Sequence, residues 1–389
     1  MIEKLADADG HIIEPGDLWV ERLPRDLRPL APHFFRDESG VFHQCIYGID
    51  IANLDTMQAG IVSPAEMLKS MGLAAAMGTD LGAVFAAEHA DRFTILDAPD
   101  WSRDGAKRLE FNRRHGLSRA VLYPTFMLAG GTFTRELAPA VCRVYNDWVL
   151  EDYCAGSGGE LIPVAALPII DPDLAAAEVH RTAELGFRAT FIRTNAVAGA
   201  KYSDRRFDVV WQAIVDTGVK LGLHPLPVWD QEGTARGYHL PNIMAASALG
   251  FPMDMIATLY DMMAGGVFDR FPTMPTMILE AGAGWLPSFL ERFEEHRELF
   301  GRIQSPEWKT PPEEIFERQM MVTVEACERT DLKIALDFLP ADHVAIASDW
   351  PHYDGTPDLV TGFHEAGRGL DESRLAMVAA GTLERWFPA

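Results

Sequence analysis

The chain has 389 residues, 48% hydrophobic and 23% charged, which is the make-up of an ordinary globular fold with material for a large core. Lys and Arg number 34 against 57 Asp and Glu, and the net charge of -23 describes a surface that repels nucleic acid and anionic membranes and excludes both as partners. There is no apolar run of about 18 residues and no charged-then-apolar leader, so neither a membrane span nor a signal peptide is expected, and a cytoplasmic location follows. Cys45, Cys142, Cys154 and Cys327 are scattered without CxxC spacing and read as reduced thiols.

In chain order, Leu5 to Gly10 is a strand candidate that ends in Asp7-Ala8-Asp9-Gly10-His11, with Glu14 in the loop beyond. Asp9 and His11 are two apart and share a face if the strand continues. Residues 16 to 117 read as an insertion over the mouth of the fold, irregular and Pro-rich at first, then helical from Pro64 to Ala90. Met57, Met67, Met71 and Met77 give it adaptable apolar surface that suits a substrate lid. From Ser118 a rhythm sets in. Strands are expected at Ala120–Pro124, Leu161–Ile170, Ala189–Arg193, Lys220–Leu223, Met277–Leu279, Met320–Val324 and Val344–Ala347. Helices are expected at Arg135–Tyr153, Pro172–Leu185, Phe207–Thr217, Asn242–Ala264, Leu286–Leu299, Asp331–Phe338 and Glu372–Thr382, several closed by Gly or opened by Pro. Eight strands alternating with helices predict a single α/β domain, a (β/α)8 TIM barrel over residues 1–389. A doubly wound sheet is the alternative, weakened because no Gly-x-Gly-x-x-Gly follows any strand.

In such a barrel the strand tips converge on one face. They carry Asp9, His11 and Glu14 (strand one), His224 (strand five), Glu280 (six), Glu325 (seven), and Asp349 and His352 (eight). Carboxylates gathered in one place repel unless cations lie between them, so metal is the economical explanation. The expected ligands are Asp9, His11, Glu14, His224, Glu280, Asp349 and His352, with Glu280 and His352 as catalytic groups. No thiolate stands at a tip, and four carboxylates with two or three imidazoles match the inventory of carboxylate-bridged di-iron or di-manganese sites.

Asp7-Ala8-Asp9-Gly10-His11, Tyr145-Asn146-Asp147-Trp148, His224-Pro225, Glu280-Ala281-Gly282-Ala283-Gly284-Trp285 and Ser348-Asp349-Trp350-Pro351-His352 together resemble the amidohydrolase-related TIM-barrel family, which includes aminocarboxymuconate semialdehyde decarboxylase. The resemblance implies metal at the strand tips. Many members have His-x-His where this chain has Asp9 and His11, a His where it has Glu280, and some a carbamylated Lys on strand four, which is absent here. With Glu14 as an additional potential ligand, those departures resemble the branch of TIM-barrel nonheme diiron monooxygenases, one of which hydroxylates a diterpenoid coenzyme A thioester on a route to antibiotics. The branch implies two Fe ions, dioxygen, an electron donor and a CoA-linked substrate. The alternative is a decarboxylase or hydrolase with one Zn or Mn, and a barrel that merely retains its ligands is a third reading. A CoA carrier needs a local basic patch, and the candidates are Arg193, Lys201, Arg205 and Arg206, and Lys107, Arg108, Arg113 and Arg114, with the Gly282-Ala283-Gly284 turn as an anion-binding helix start. A homodimer is compatible with this reading.

Overall fold

The computed structural model describes residues 4–38, 42–47, 49–50, 100–128, 131, 133–194, 197, 199–226, 245–352, 355 and 358–388. Eight parallel strands form one sheet in chain order: β1 Leu5–His11, β2 Leu117–Tyr123, β3 Leu161–Ala166, β4 Ala189–Arg193, β5 Lys220–His224, β6 Thr276–Ile278, β7 Met320–Glu325 and β8 Val344–Ala347. Each is short and largely buried, and most are apolar, as a parallel strand between helices and barrel interior must be, while β1 carries Asp7, Asp9 and His11 toward its tip. The expected (β/α)8 barrel is the observed fold.

Between its first and last strands the barrel closes through polar contacts at their ends. Asp349 N–H donates to Asp9 O (2.8 Å) and His11 N–H to Trp350 O (3.0 Å). The buried Asp7 carboxylate accepts from Ser348 N–H (3.0 Å) and Ser348 Oγ–H (2.7 Å). Below the tips, Tyr123, Phe191, Met277, Leu279, Met321 and Ala345 belong to one buried cluster. Gly222, two residues before His224, sits in a tight spot: a Cβ there would stand 3.0 Å from Leu279 Cδ1 and 3.1 Å from Tyr123 Oη.

Pro172–Leu185 is helical as expected, capped by Asp171 and ended by Gly186 at φ 102°. Other helices stop earlier than their periodicity suggests. Ala138–Trp148, Leu286–His296 and Glu372–Ala376 each pass into a wider π turn, at Val149–Tyr153, Arg297–Gly301 and Met377–Gly381. Within 16–117, Leu18–Arg22 and Gly105–Arg114 are helical, and His33–Arg36, Phe42–Ile46 and Ile49–Asp50 make a small antiparallel sheet where irregular chain was expected. The expected Met-rich helical lid at 64–90 lies outside the described residues.

Candidate metal centre

The tips of β1, β5 and β8 bring Asp9, His11, His224, Asp349 and His352 together, all but His352 essentially without solvent exposure. The tautomers follow from the outer contacts. His11 Nδ1 is 2.9 Å from Pro124 O and His224 Nδ1 2.7 Å from Pro225 O. A carbonyl only accepts, so both Nδ1 atoms carry the proton and both Nε2 atoms present lone pairs. Burial first, then His352 and His224, hold the His11 imidazole well below its usual range, which keeps it neutral.

Those two lone pairs face each other at 3.3 Å, each 3.6 Å from Asp9 Oδ1. Nothing in this triangle can donate a hydrogen bond, and neither Asp9 oxygen has a hydrogen-bond partner. The point equidistant from the three atoms lies about 2.0 Å from each, the bond length of a first-row divalent cation to N and O donors. Asp349 Oδ1 lies 3.2 Å from His11 Nε2, in a second group of converging donors made with His11 and His352. The donor set therefore fits a divalent metal.

His352 stacks on His11, with ring centroids 3.8 Å apart, and sets Nδ1 2.9 Å from Asp349 Oδ1 and Nε2 2.9 Å from Thr125 Oγ1. Glu280 stands at the rim, its Oε2 3.5 Å from His224 Nδ1. Glu280 and Asp349 both take left-handed backbone, φ 46° and 51°, which non-glycine residues rarely adopt and which clusters at functional sites. Glu14 does not join the cluster. Its buried carboxylate accepts from three consecutive backbone N–H groups, Thr125 (3.3 Å), Phe126 (3.0 Å) and Met127 (2.8 Å). Glu325 is likewise outside the groups of converging donors among the described residues.

Sequence reasoning missed three residues around the cluster. Asp7 ties β1 to β8, its carboxyl pushed up to about 6 by burial against the opposing pull of Ser348 and Arg108. Thr125 holds His352. Tyr123 is buried with its Oη lacking a hydrogen-bond partner and its ring 5.2 Å from that of His224. Asp7 lies on the same alternation as Asp9 and His11, a signal the sequence did carry.

The basic patches are largely committed elsewhere. Arg108 is buried, donates to His11 O (2.8 Å) and lies over the Trp101 ring. Lys107 pairs with Asp100, Arg113 with Glu160, Arg114 with Glu110, Arg205 with Glu307 and Asp208, and Arg206 with Asp204. The Gly282-Ala283-Gly284 amides are taken by Asp331, whose Oδ2 accepts from Ala283 N (2.8 Å) and Gly284 N (3.0 Å).

A family model described as amidohydrolase matches residues 80–388. The decarboxylase orsB of Emericella nidulans is 26% identical over 285 residues, 71% of this chain and 82% of that protein. A gamma-resorcylate decarboxylase of Rhodococcus jostii is 27% identical over 254 residues, 63% of this chain and 76% of that one. The solved dihydroxybenzoic acid decarboxylase of Polaromonas sp. JS666, with bound manganese and the inhibitor 2-nitroresorcinol, shares the fold at TM-score 0.63 and 20% identity, over 78% of this chain and 89% of that one. These relatives correct the expected diiron monooxygenase. They are decarboxylases, and two Fe ions, dioxygen, an electron donor and a CoA thioester find no support among them. The physical reason lies in the carboxylate count: Glu14, one of the four on which two irons rested, is held by amides, and the arginines meant for CoA phosphates are mostly paired or buried. The protein is a metal-site enzyme for a small molecule, and no helix among its described residues is long and apolar enough to cross a membrane. With a match that runs across most of the barrel, the chain belongs to the amidohydrolase family.

Proposed function

We propose that this chain is a metal-dependent decarboxylase of a small aromatic carboxylic acid, with one manganese or zinc ion held by Asp9, His11, His224 and Asp349. The observation that carries the reading is the convergence of His11 Nε2, His224 Nε2 and Asp9 Oδ1 on one point, with no donor among them. Carboxylate and imidazole donors without a thiolate suit either ion. The relatives named above act, by their names, on aromatic acids or as decarboxylases, and one is solved with manganese.

The ion supplies positive charge that orients and polarises substrate oxygens. The chain's residues do the rest. Arg193, 4% exposed, ends β4 in register with His224. It shares the alternation of Phe191, whose ring lies 6.4 Å from that of His224, so it is placed to hold a substrate anion at the mouth. When carbon dioxide leaves, the C–C bonding pair stays on the ring carbon, which takes a proton. Glu280 and His352, the titratable groups at the rim of the cluster, are the candidates to deliver it.

The test is to supply hydroxybenzoates, including 2,6-dihydroxybenzoate, and to measure carbon dioxide, oxygen uptake and bound metal. Close to one manganese or zinc per chain, with carbon dioxide released and no oxygen consumed, is the expected result. A metal-replete protein that releases none from any aromatic acid overturns the reading.

A further inference from the structure

We propose that Glu14 and Thr125 form a positioning device for His352, so that a carboxylate outside the metal cluster sets the geometry inside it. The inference rests on the decarboxylase site described above and adds to it two residues outside its converging donors.

Glu14 is fully buried, and burial pushes its carboxyl above the usual range, against the pull of the amides it accepts. A buried carboxylate is a costly way to cap Phe126–Leu128, a single turn of three residues. What the arrangement achieves is to fix the backbone at Thr125, the residue just after the β2 tip, with N–H groups of three successive residues aimed at one carboxylate. Thr125 has one hydroxyl proton, and it goes to Ile12 O, 2.8 Å away. The hydroxyl oxygen is therefore an acceptor toward His352 Nε2 at 2.9 Å, and Nε2–H donates to it. On its other side the ring meets Asp349 Oδ1 through Nδ1 at 2.9 Å. Both ring nitrogens are thus fixed, one by β8 and one by the Glu14-held loop, and the ring face is fixed by stacking on His11. Ile12, Glu14 and Thr125 link the chain just beyond β1 to the chain just beyond β2, while His352 follows β8, so the device spans three strand ends. Loss of the Thr125 acceptor lets the imidazole turn, and Asp349 turns with it.

Groups that orient a metal ligand from outside the metal's own shell change affinity by roughly 10- to 100-fold when removed. Manganese titrated into metal-free protein is the first readout, and it needs no substrate. Thr125→Val and Glu14→Gln should each weaken manganese binding about 10-fold, Thr125→Ser should restore it to within about threefold, and the Glu14→Gln/Thr125→Val double variant should bind no worse than the weaker single. The second readout is the slowly exchanging Nε2–H proton resonance of His352, which should be present in the parent and in Thr125→Ser and lost in the other variants. Additive losses in the double variant, or Glu14→Gln that melts earlier but keeps parental manganese affinity and the His352 resonance, would overturn the proposal and leave Glu14 a plain loop cap. A parent that binds neither manganese nor zinc sinks the metal reading under the proposed function instead, and the resonance then decides the positioning claim alone.

Discussion

Asp9 and Glu14 are five residues apart, both buried carboxylates beside the β1 tip, and their surroundings are opposite. Glu14 receives three backbone N–H groups, and Asp9 receives none on either oxygen. A buried carboxylate without donors costs several kcal/mol, so a chain that keeps one keeps it for a cation. The difference teaches that the number of carboxylates at a strand end says little about metal until the amide donors have been assigned. Glu328 falls between the two, half-buried and accepting one N–H, from Glu325, at 3.2 Å.

The comparison predicts its largest effect at Asp9. Asp9→Asn keeps the volume and removes the charge that the two imidazole lone pairs cannot replace. Decarboxylation should fall at least about 10³-fold, about 4 kcal/mol, with metal content reduced in step. The matching change at Glu14 should leave measurable turnover. Equal collapse of both variants would break the contrast between them.

Metal removal comes next. In the metal-free protein Asp9 is the uncompensated group, so adding manganese or zinc at about 100 times its Kd should raise stability by about 2.7 kcal/mol. Denaturant midpoints with and without chelator check this. For Asp9→Asn the chelator should make little difference, because both the charge and the site are gone.

Glu328 sharpens the scale. Burial first, then Asp331, push its carboxyl from 4.5 up to about 6, against the pull of the Glu325 amide. The folded chain binds this proton more tightly than the unfolded one, so stability falls as pH rises from about 4.5 to about 6 and stays lowered above. Glu328→Gln should therefore be more stable than the parent by at most about 2 kcal/mol at pH 8, and no more stable at pH 4. A difference independent of pH would show that the amide, not the charge, sets the cost.

Much of this was legible in the sequence. Ala189–Arg193 and Val344–Ala347 stand where expected because a buried parallel strand is a short apolar run bounded by turn residues, and that pattern is local. Asp9, His11, His224 and Asp349 could be gathered from the chain because a barrel brings all strand ends to one rim. Glu14 was misjudged because its partners are backbone amides more than 100 residues away, which leave no residue signature. The same holds for the Gly282–Gly284 turn, where the anion is Asp331 of the chain itself, and a Cβ at Gly282 would stand 2.5 Å from it. Arg108 read as a surface cation because periodicity does not reveal that a guanidinium lies under Trp101 and beside Asp7. The oxygenase expectation came from counting four carboxylates before knowing which of them the backbone already served.

The smallest effect on stability is expected at Glu280, where stability and function should move in opposite directions. Its φ of 46° is left-handed, a conformation that Asn and Asp enter with some ease and Glu does not. The turn is held from outside, by Thr323 Oγ1 at 3.3 Å from Glu280 N, by Asp331 on Ala283 and Gly284, and by Trp285 Nε1 on Ala281 O at 2.7 Å. Those contacts involve backbone atoms or neighbouring side chains, and all of them survive Glu280→Gly. The substitution relieves the left-handed strain, an order of 1 kcal/mol, but adds unfolded-state freedom, so a net gain of about 0.5 kcal/mol in thermal or denaturant unfolding is expected. Turnover should nonetheless drop by about 10²-fold or more if Glu280 delivers the proton, with manganese affinity changed little because the equidistant point of Asp9, His11 and His224 does not involve it. A variant that loses stability would show that the side chain, and not the turn, anchors this corner. One that gains stability and keeps turnover would move proton delivery to His352, the other titratable group on the rim.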